Sequence, residues 1–284
     1  VLTVPYVTVP EFRAHPTYLD TNNLRVANTQ AAQDAALNNA LLTASQWADD
    51  YLDMPLAAHL RVENTRIRPD RQGRLRYHPE HAPVLQLLTV STGDLPDQVT
   101  SLGTPQAWTE AAGRVLIVYL TGAAGLGNLQ FGAPPAAQGE ILVTWTYVAG
   151  WPHTQLQLAA TTAATQLTVA DTTGITAGTV LRLWTPTAEE AVTVAAVAGQ
   201  VLALAAPLAH DHPAGMSVTA LPPTARQAVI NYAVALLARP APGKEANFPA
   251  ASATQPSSTS KSNGVGGGLV ADAQRLLGNY QRIR

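Results

Sequence analysis

The chain has 284 residues, no cysteine, two methionines and a formal net charge of -2. That excludes a disulfide framework, a cysteine zinc site, an iron–sulfur cluster and a thiol nucleophile. Charged residues are 13% and hydrophobic residues 46%, enough for a packed core. With charge this far below the roughly 25% of an average protein, the surface is either Thr/Gln/Asn/Ala-rich or largely covered by partners.

The length allows one to three domains. Val1-Leu2-Thr3-Val4-Pro5 lacks the basic stretch and apolar run of a secretory signal, and no apolar run approaches the roughly 18 residues that span a membrane. Pro5, Pro10 and Pro16 predict an extended arm over 1–23. Residues 29–53 predict a helix. Leu37, Leu41, Ala44, Ala48 and Tyr51 recur on one face, and Trp47 and Leu52 widen it. Thr29 is placed to cap its start and Pro55 to stop it. Asp49, Asp50 and Asp53 fall in the last turns, the unfavourable end for acids, and are expected to face solvent or a partner.

Residues 56–149 read as β-rich. Leu60, Val62 and Ile67 alternate with polar residues, Asp70-Arg71-Gln72-Gly73 marks a turn, and Leu75 and Tyr77 resume the alternation. Val84–Val90, Val115–Leu120 and Ile141–Val148 follow as strands. Arg61, Arg66, Arg68, Arg71, Arg74 and Arg76 form the densest charge cluster. Period-two alternation puts Arg66, Arg68, Arg74 and Arg76 on one face of a hairpin turning near Gly73. That hairpin is either exposed, with Glu63 and Asp70 as acidic neighbours, or a loop that docks a partner or lines a channel.

Residues 155–221 change character. Short strands are predicted at Leu156–Leu158, Gln166–Val169, Val180–Trp184, Ala191–Val197, Val201–Leu204 and Ser217–Leu221, a small barrel or sandwich. Residues 223–239 predict a helix with Ala225, Val229, Tyr232, Ala233, Leu236 and Leu237 on its apolar face. Residues 240–268 have linker composition. Residues 269–281 predict a last helix with Leu269, Ala273, Leu276, Leu277 and Tyr280 on one side. Charge is uneven: residues 1–152 hold nine basic and thirteen acidic side chains, whereas 222–284 hold seven basic and two acidic. An acidic body therefore carries a basic tail.

No constellation of active-site type emerges. Gly122–Gly127 matches neither the dinucleotide fingerprint nor the Walker A pattern and reads as a turn. His210-Asp211-His212 and His78-Pro79-Glu80-His81 read as solvent-facing loops. Glu189-Glu190 would alternate faces on a strand, and no Gly-x-Ser-x-Gly elbow occurs. No catalytic, cofactor or metal residues are expected, and no enzymatic activity.

The order of elements resembles a known family. The stretches that carry the resemblance are the helix end Ala40–Leu52, the strand ending Val143-Thr-Trp-Thr-Tyr-Val-Ala-Gly-Trp-Pro152, and the helix Leu221–Arg239 followed by Asp272–Ile283. Together they resemble the head–tail connector (adaptor) proteins of long-tailed bacteriophages. Thr165–Thr179 is similar to a β-module of larger virion proteins.

The resemblance implies an α+β fold: a helical connector core with β-strands, an inserted small all-β domain and a C-terminal helical tail. Its boundaries would be an arm at 1–23, core at 24–154, β domain at 155–221, core helix at 222–240 and linker with docking tail at 241–284. It also implies a non-enzymatic virion protein, made in the bacterial host cytoplasm and placed between capsid and tail. Such a protein forms a homo-oligomeric ring, commonly dodecameric, beneath the portal protein. The ring extends the DNA channel, passes genomic DNA without sequence-specific binding, and docks a head-closure (stopper) or tail protein. No membrane is involved.

Under that resemblance Leu269, Ala273, Arg275, Leu276, Leu277, Tyr280, Arg282, Ile283 and Arg284 would dock on the portal. Leu37, Leu41, Trp47, Tyr51, Val229, Tyr232 and Leu236 would pack helices between subunits. Arg66, Arg68, Arg71, Arg74 and Arg76 would meet a partner or the channel. The alternative is a tail-completion or virion-surface adhesion or decorating protein that uses the 155–221 domain.

Overall fold

In the computed structural model the described residues are 4–17, 19–22, 24, 29–70, 74–93, 100–101, 107–110, 113–119, 140–238 and 265–280. Helices are α1 (Val9–Ala14) and α2 (Gln30–Leu52). Strands follow as β1 (His59–Ile67), β2 (Arg74–Tyr77), β3 (Val84–Gly93), β4 (Thr100–Ser101), β5 (Ala107–Glu110), β6 (Val115–Tyr119) and β7 (Ile141–Ala149). A second run comprises β8 (His153–Gln155), β9 (Gln166–Thr168), β10 (Val180–Trp184), β11 (Glu189–Ala198), β12 (Val201–Leu204) and β13 (Ser217–Thr219). Helices α3 (Pro223–Leu237) and α4 (Val265–Leu277), with a 3-10 turn at Gly278–Tyr280, complete the fold. It is α+β and strand-rich, and every strand–strand ladder is antiparallel.

The chain divides into two compact units. One comprises Val1–Met54, His153–Asp171 and Ala177–Arg284; the other comprises Pro55–Pro152 and Thr172–Thr176.

In the first unit the expected extended arm is instead partly helical. Thr8 accepts a hydrogen bond from the Glu11 amide and caps α1, and Pro10 falls in the first turn, where its missing N–H costs nothing. Helix α2 begins where expected, with the Thr29 hydroxyl accepting from Ala32 N at 3.3 Å. It ends because Asp53 turns left-handed at φ 58 and donates its amide to the Asp49 and Asp50 carbonyls. Its buried row is Gln33, Leu37, Leu41, Ala44, Ser45, Ala48, Asp49 and Leu52, a 3.6-residue period. Asp49 does not face solvent as expected: it is buried and accepts the Tyr6 hydroxyl at 2.7 Å.

Helix α3 packs on α2 and α4 packs on α3. Covered on both sides, α3 buries Ala225, Ala228, Val229, Ile230, Ala233 and Ala235, while Tyr232, Leu236 and Leu237 are only half-buried. Its apolar face is thus rotated from the expected one. Helix α4 begins four residues before the predicted start, within the expected linker. Its first turn holds Gly266, Gly267 and Gly268, each costing roughly 1 kcal/mol against alanine. Packing of Ala273 and Leu277, both fully buried, offsets this.

The β8–β13 strands form one sheet in the order β8-β13-β10-β11-β12-β9. Its two edges meet. Leu156 bridges Val169, Gln157 N donates to Thr168 O at 2.9 Å, and Ala170 N donates to Gln155 O at 3.0 Å. The sheet therefore closes as a small barrel. Leu167, Leu181, Leu183, Val194, Leu202 and Val218 fill it, alternating with outward residues. The predicted strand at Leu156–Leu158 lies instead at His153–Gln155, because those residues pair with β13.

The second unit has a four-stranded sheet, β1-β7-β3-β4, and a three-stranded sheet, β2-β6-β5. Their apolar residues share one core: Leu75, Tyr77, Leu116 and Val118 from the smaller sheet, and Val90, Val143, Trp145 and Tyr147 from the larger. Tyr77 stacks on Trp145 at 5.0 Å.

Among the described residues β1 and β2 do not pair as the two arms of the expected hairpin; they belong to different sheets. Strand β1 pairs residue for residue with β7, and β2 pairs with β6. On either side of the connection, the Asp70 carboxylate accepts both Arg74 N and Arg74 Nε, at 2.9 and 2.7 Å. Gly150 sits at φ +101, and a Cβ there would lie 2.6 Å from the Ala57 carbonyl. That close approach lets Trp151 N reach Leu56 O, and Ala58 N reach Trp151 O, both at 2.8 Å.

Candidate interaction surfaces

The helices of the first unit present an aromatic stack. Trp47 lies parallel to Tyr232 with centroids 3.9 Å apart and planes 5° apart, and Tyr51 also stacks on Trp47, at 5.6 Å. Period 3.6 puts Trp47 and Tyr51 one turn apart on α2, and the α2–α3 packing brings Tyr232 to them. All three are half-buried. An open groove beside them is lined by Leu42, Thr43, Gln46, Trp47, Asp50 and Tyr232. Among the expected helix-packing residues, Leu37, Leu41 and Val229 are fully buried inside the chain. They serve its own core, whereas Trp47, Tyr51, Tyr232 and Leu236 retain exposed area.

The expected docking helix behaves similarly. Ala273 and Leu277 are buried in their own unit, while Leu269, Leu276 and Tyr280 are half-buried. The Tyr280 hydroxyl is hydrogen-bonded to Thr224. Arg275 is exposed, 3.5 Å from Asp272. Arg282, Ile283 and Arg284 lie outside the described residues, as do Arg71 and Gly122–Gly127.

The arginine cluster is divided between two sheets. Arg66 and Arg68 are exposed at the end of β1, Arg74 pairs with Asp70, and Arg76 lies 3.9 Å from Glu110. Glu63, expected as an exposed neighbour, is buried. It accepts from the Tyr77 hydroxyl, from the Tyr147 hydroxyl at 2.6 Å, from Glu80 N at 3.2 Å and from Arg61 Nε at 3.4 Å. Burial pushes its carboxyl pKa up, but these donors outweigh it and hold the carboxyl below its ordinary range. Burial and the adjacent carboxylate raise the Tyr147 hydroxyl.

In the two histidine loops His78, Glu80, His210 and Asp211 are exposed as expected, but His81 and His212 are not. His81 is buried, its Nδ1 2.6 Å from His59 Nε2. His59 Nδ1 donates to the Ala57 carbonyl at 2.9 Å. Its Nε2 then accepts and His81 Nδ1 donates, so both rings fit as neutral species. Burial lowers the pKa of each. The His212 side chain is fully buried, its Nε2 2.6 Å from Glu190 Oε1. Glu190 also accepts Ala209 N and His210 N, whereas Glu189 pairs with Arg182. The two adjacent carboxylates thus serve different partners. Alternation alone could have revealed that split, but not the burial of the histidines.

A further polar site was not legible in the sequence. Glu11 on α1 is buried and its Oε1 accepts from Arg182 at 2.9 Å and Arg226 at 2.7 Å. Burial and the neighbouring Arg182 lower the Arg226 pKa. Among the described residues no group of three or more His, Asp or Glu is placed to hold a metal ion, and no helix is long and apolar enough to cross a membrane.

No family model, no curated protein and no solved structure matches this chain.

Proposed function

We propose that this chain is a structural adaptor of a phage neck, a subunit of the ring beneath the portal that extends the DNA channel and docks a stopper or tail protein. The observation that carries the reading is the ordered resemblance from Ala40–Leu52 through Val143–Pro152 to the α3 and α4 sequences. Three further features support it. The exposed positions of α2 are Gln30, Ala31, Ala35, Asn39, Thr43, Gln46 and Asp50, with one charge among them. Such a face suits close packing against a neighbouring subunit better than permanent solvation. The half-exposed stack of Trp47, Tyr51 and Tyr232 adds aromatic area of the kind enriched at interfaces. A channel that must release DNA also suits an acidic body, since clustered basic groups would grip phosphates.

Native mass spectrometry of the purified protein, with imaging of the virion neck, tests the reading. A ring in register with the portal is expected. A monomer absent from the neck would overturn it.

A second reading uses the barrel as an adhesion or decorating module. It is favoured by Leu158 and Val180, exposed by 61% and 56% on that domain. Deleting residues 155–221 separates the two. Particles that retain DNA but do not adsorb support adhesion, whereas loss of joined heads and tails supports the adaptor.

A further inference from the structure

The groove beside the Trp47 stack is built on one face of α2. Thr43, Gln46, Trp47 and Asp50 recur at i, i+3, i+4 and i+7, which brings them into one row. With Leu42 and Tyr232 they line a groove of about 470 Å³. Thr43, Gln46 and Asp50 are exposed, and Leu42, Trp47 and Tyr232 are half-buried.

Hydrogen bonds already formed fix what the polar groups of α2 can still do. The Asp50 carboxylate can only accept, so Gln46 turns its amide N–H to it, with Nε2 2.8 Å from Asp50 Oδ1. Gln46 Oε1 is left as an acceptor beside that carboxylate. Thr43 Oγ1 donates its proton to the Asn39 carbonyl at 2.9 Å, so it too presents lone pairs. The row therefore offers mainly acceptors.

Charge points the same way. Asp50 lies in the last turn of α2, where the helix dipole is negative and an acid is unfavourable. That turn contains no basic residue. Among the described residues no cationic side chain lies within ion-pair distance of Asp50. A cation here offsets both the carboxylate and the helix end, whereas an anion is repelled by both and a neutral group compensates neither. A guanidinium is flat, carries several N–H donors and no acceptor, spans neighbouring acceptors and packs against aromatic rings; an ammonium is compact and strongly hydrated.

We propose that this groove takes the guanidinium of an arginine from a neighbouring copy of this chain. Its N–H groups donate to the Asp50 carboxylate and Gln46 Oε1, and its alkyl stem lies along Leu42, Trp47 and Tyr232. The chain is a fitting source. Lys244 and Lys261 are its only lysines, and the other fifteen basic residues are arginine. The Arg275 side chain, for one, is 74% exposed. The proposal rests on the adaptor reading for the identity of the neighbour, and not for the chemistry of the groove.

Two measurements separate that chemistry from its source. The first titrates the full chain with N-acetyl-L-arginine methylamide and follows the Trp47 indole N–H by nuclear magnetic resonance. A saturable shift is expected. The citrulline analogue, isosteric but neutral, should bind about fivefold more weakly, and Asp50→Asn should weaken the arginine probe by about the same factor, the upper range for an exposed ion pair. The second measurement follows self-association by native mass spectrometry over a dilution series. Asp50→Asn should raise the concentration needed for assembly by about fivefold or more. No saturable shift, equal binding of the citrulline probe, or unchanged affinity in Asp50→Asn would overturn the guanidinium assignment whether or not a ring forms. Probe binding with self-association unchanged in Asp50→Asn would overturn the neighbouring copy as the source and leave the adaptor reading standing. A parent chain that binds the probe but stays monomeric would also overturn that source, and the adaptor reading falls with it only if the virion neck lacks the protein.

Discussion

The Tyr6 hydroxyl donates to Asp49 Oδ1 at 2.7 Å, joining positions 43 residues apart. The bond explains why two adjacent aspartates at the end of α2 have opposite surroundings. Tyr6 N also donates to Ser45 Oγ, which itself donates to the Leu41 carbonyl at 2.7 Å. The N-terminal segment is thereby fastened along one face of the helix.

Asp49→Ala should therefore cost about 1–3 kcal/mol, because it leaves the buried Tyr6 hydroxyl without its acceptor. Asp50→Ala, at an exposed position, should stay within about 0.5 kcal/mol. Urea unfolding midpoints of the two variants check this, and equal midpoints would refute it.

Gly150→Ala should be among the most damaging substitutions in the second unit. The new Cβ would lie 2.6 Å from Ala57 O and 2.8 Å from Leu56 O, in a backbone conformation that L residues rarely adopt. A loss of about 2 kcal/mol or more is expected. Thermal unfolding reads it directly, and a wild-type midpoint would show that the close approach is not needed.

Stability should fall as the solution is acidified from neutral. Burial lowers the His153 pKa from 6.5 to about 4. Its Nε2 lies 3.0 Å from the Pro5 carbonyl and its Nδ1 3.1 Å from the Thr219 hydroxyl, an arrangement that suits the neutral ring. Below pH 6.5 the unfolded chain takes up a proton that the folded chain refuses. The contribution is present above pH 6.5 and is lost as pH falls towards 4, amounting to on the order of 3 kcal/mol. His59 and His81 add in the same direction, since their pKa values are also lowered. Glu63 acts later, below the ordinary carboxylate range. His153→Gln should flatten the slope between pH 6.5 and 4.5, and identical slopes for variant and parent would reject the assignment.

Truncation after Arg239 removes α4. The α3 face that packs on Ala273 and Leu277 is then exposed to water. The truncated chain should fold with a lower melting temperature and, on the adaptor reading, should not attach stably to the portal. Attachment equal to that of the full chain would reject a docking role for the tail.

Elements whose cause is local were legible in the sequence. Helix α2 follows from its 3.6-residue apolar period and the Thr29 cap. Strands β10 and β12 follow from short alternating runs between turn residues. Helix α1 was hidden because Pro10 fits an extended arm as well as a first helical turn, and Thr8 decides between them through a hydrogen bond to Glu11 N.

What the sequence by itself determined is the class and order of most elements, α1 excepted, and the low charge of the helix faces, because periodicity, caps and composition act over a few residues. Tertiary structure alone decided that β1 pairs with β7 rather than β2, since an apolar strand in the middle of a sheet selects partners regardless of distance along the chain. It also decided that His81 and His212 are buried, and that Glu11, His15 and Arg226 share one pocket. Each of those outcomes depends on which distant groups displace water from a polar atom, and nothing in a short stretch of sequence encodes that.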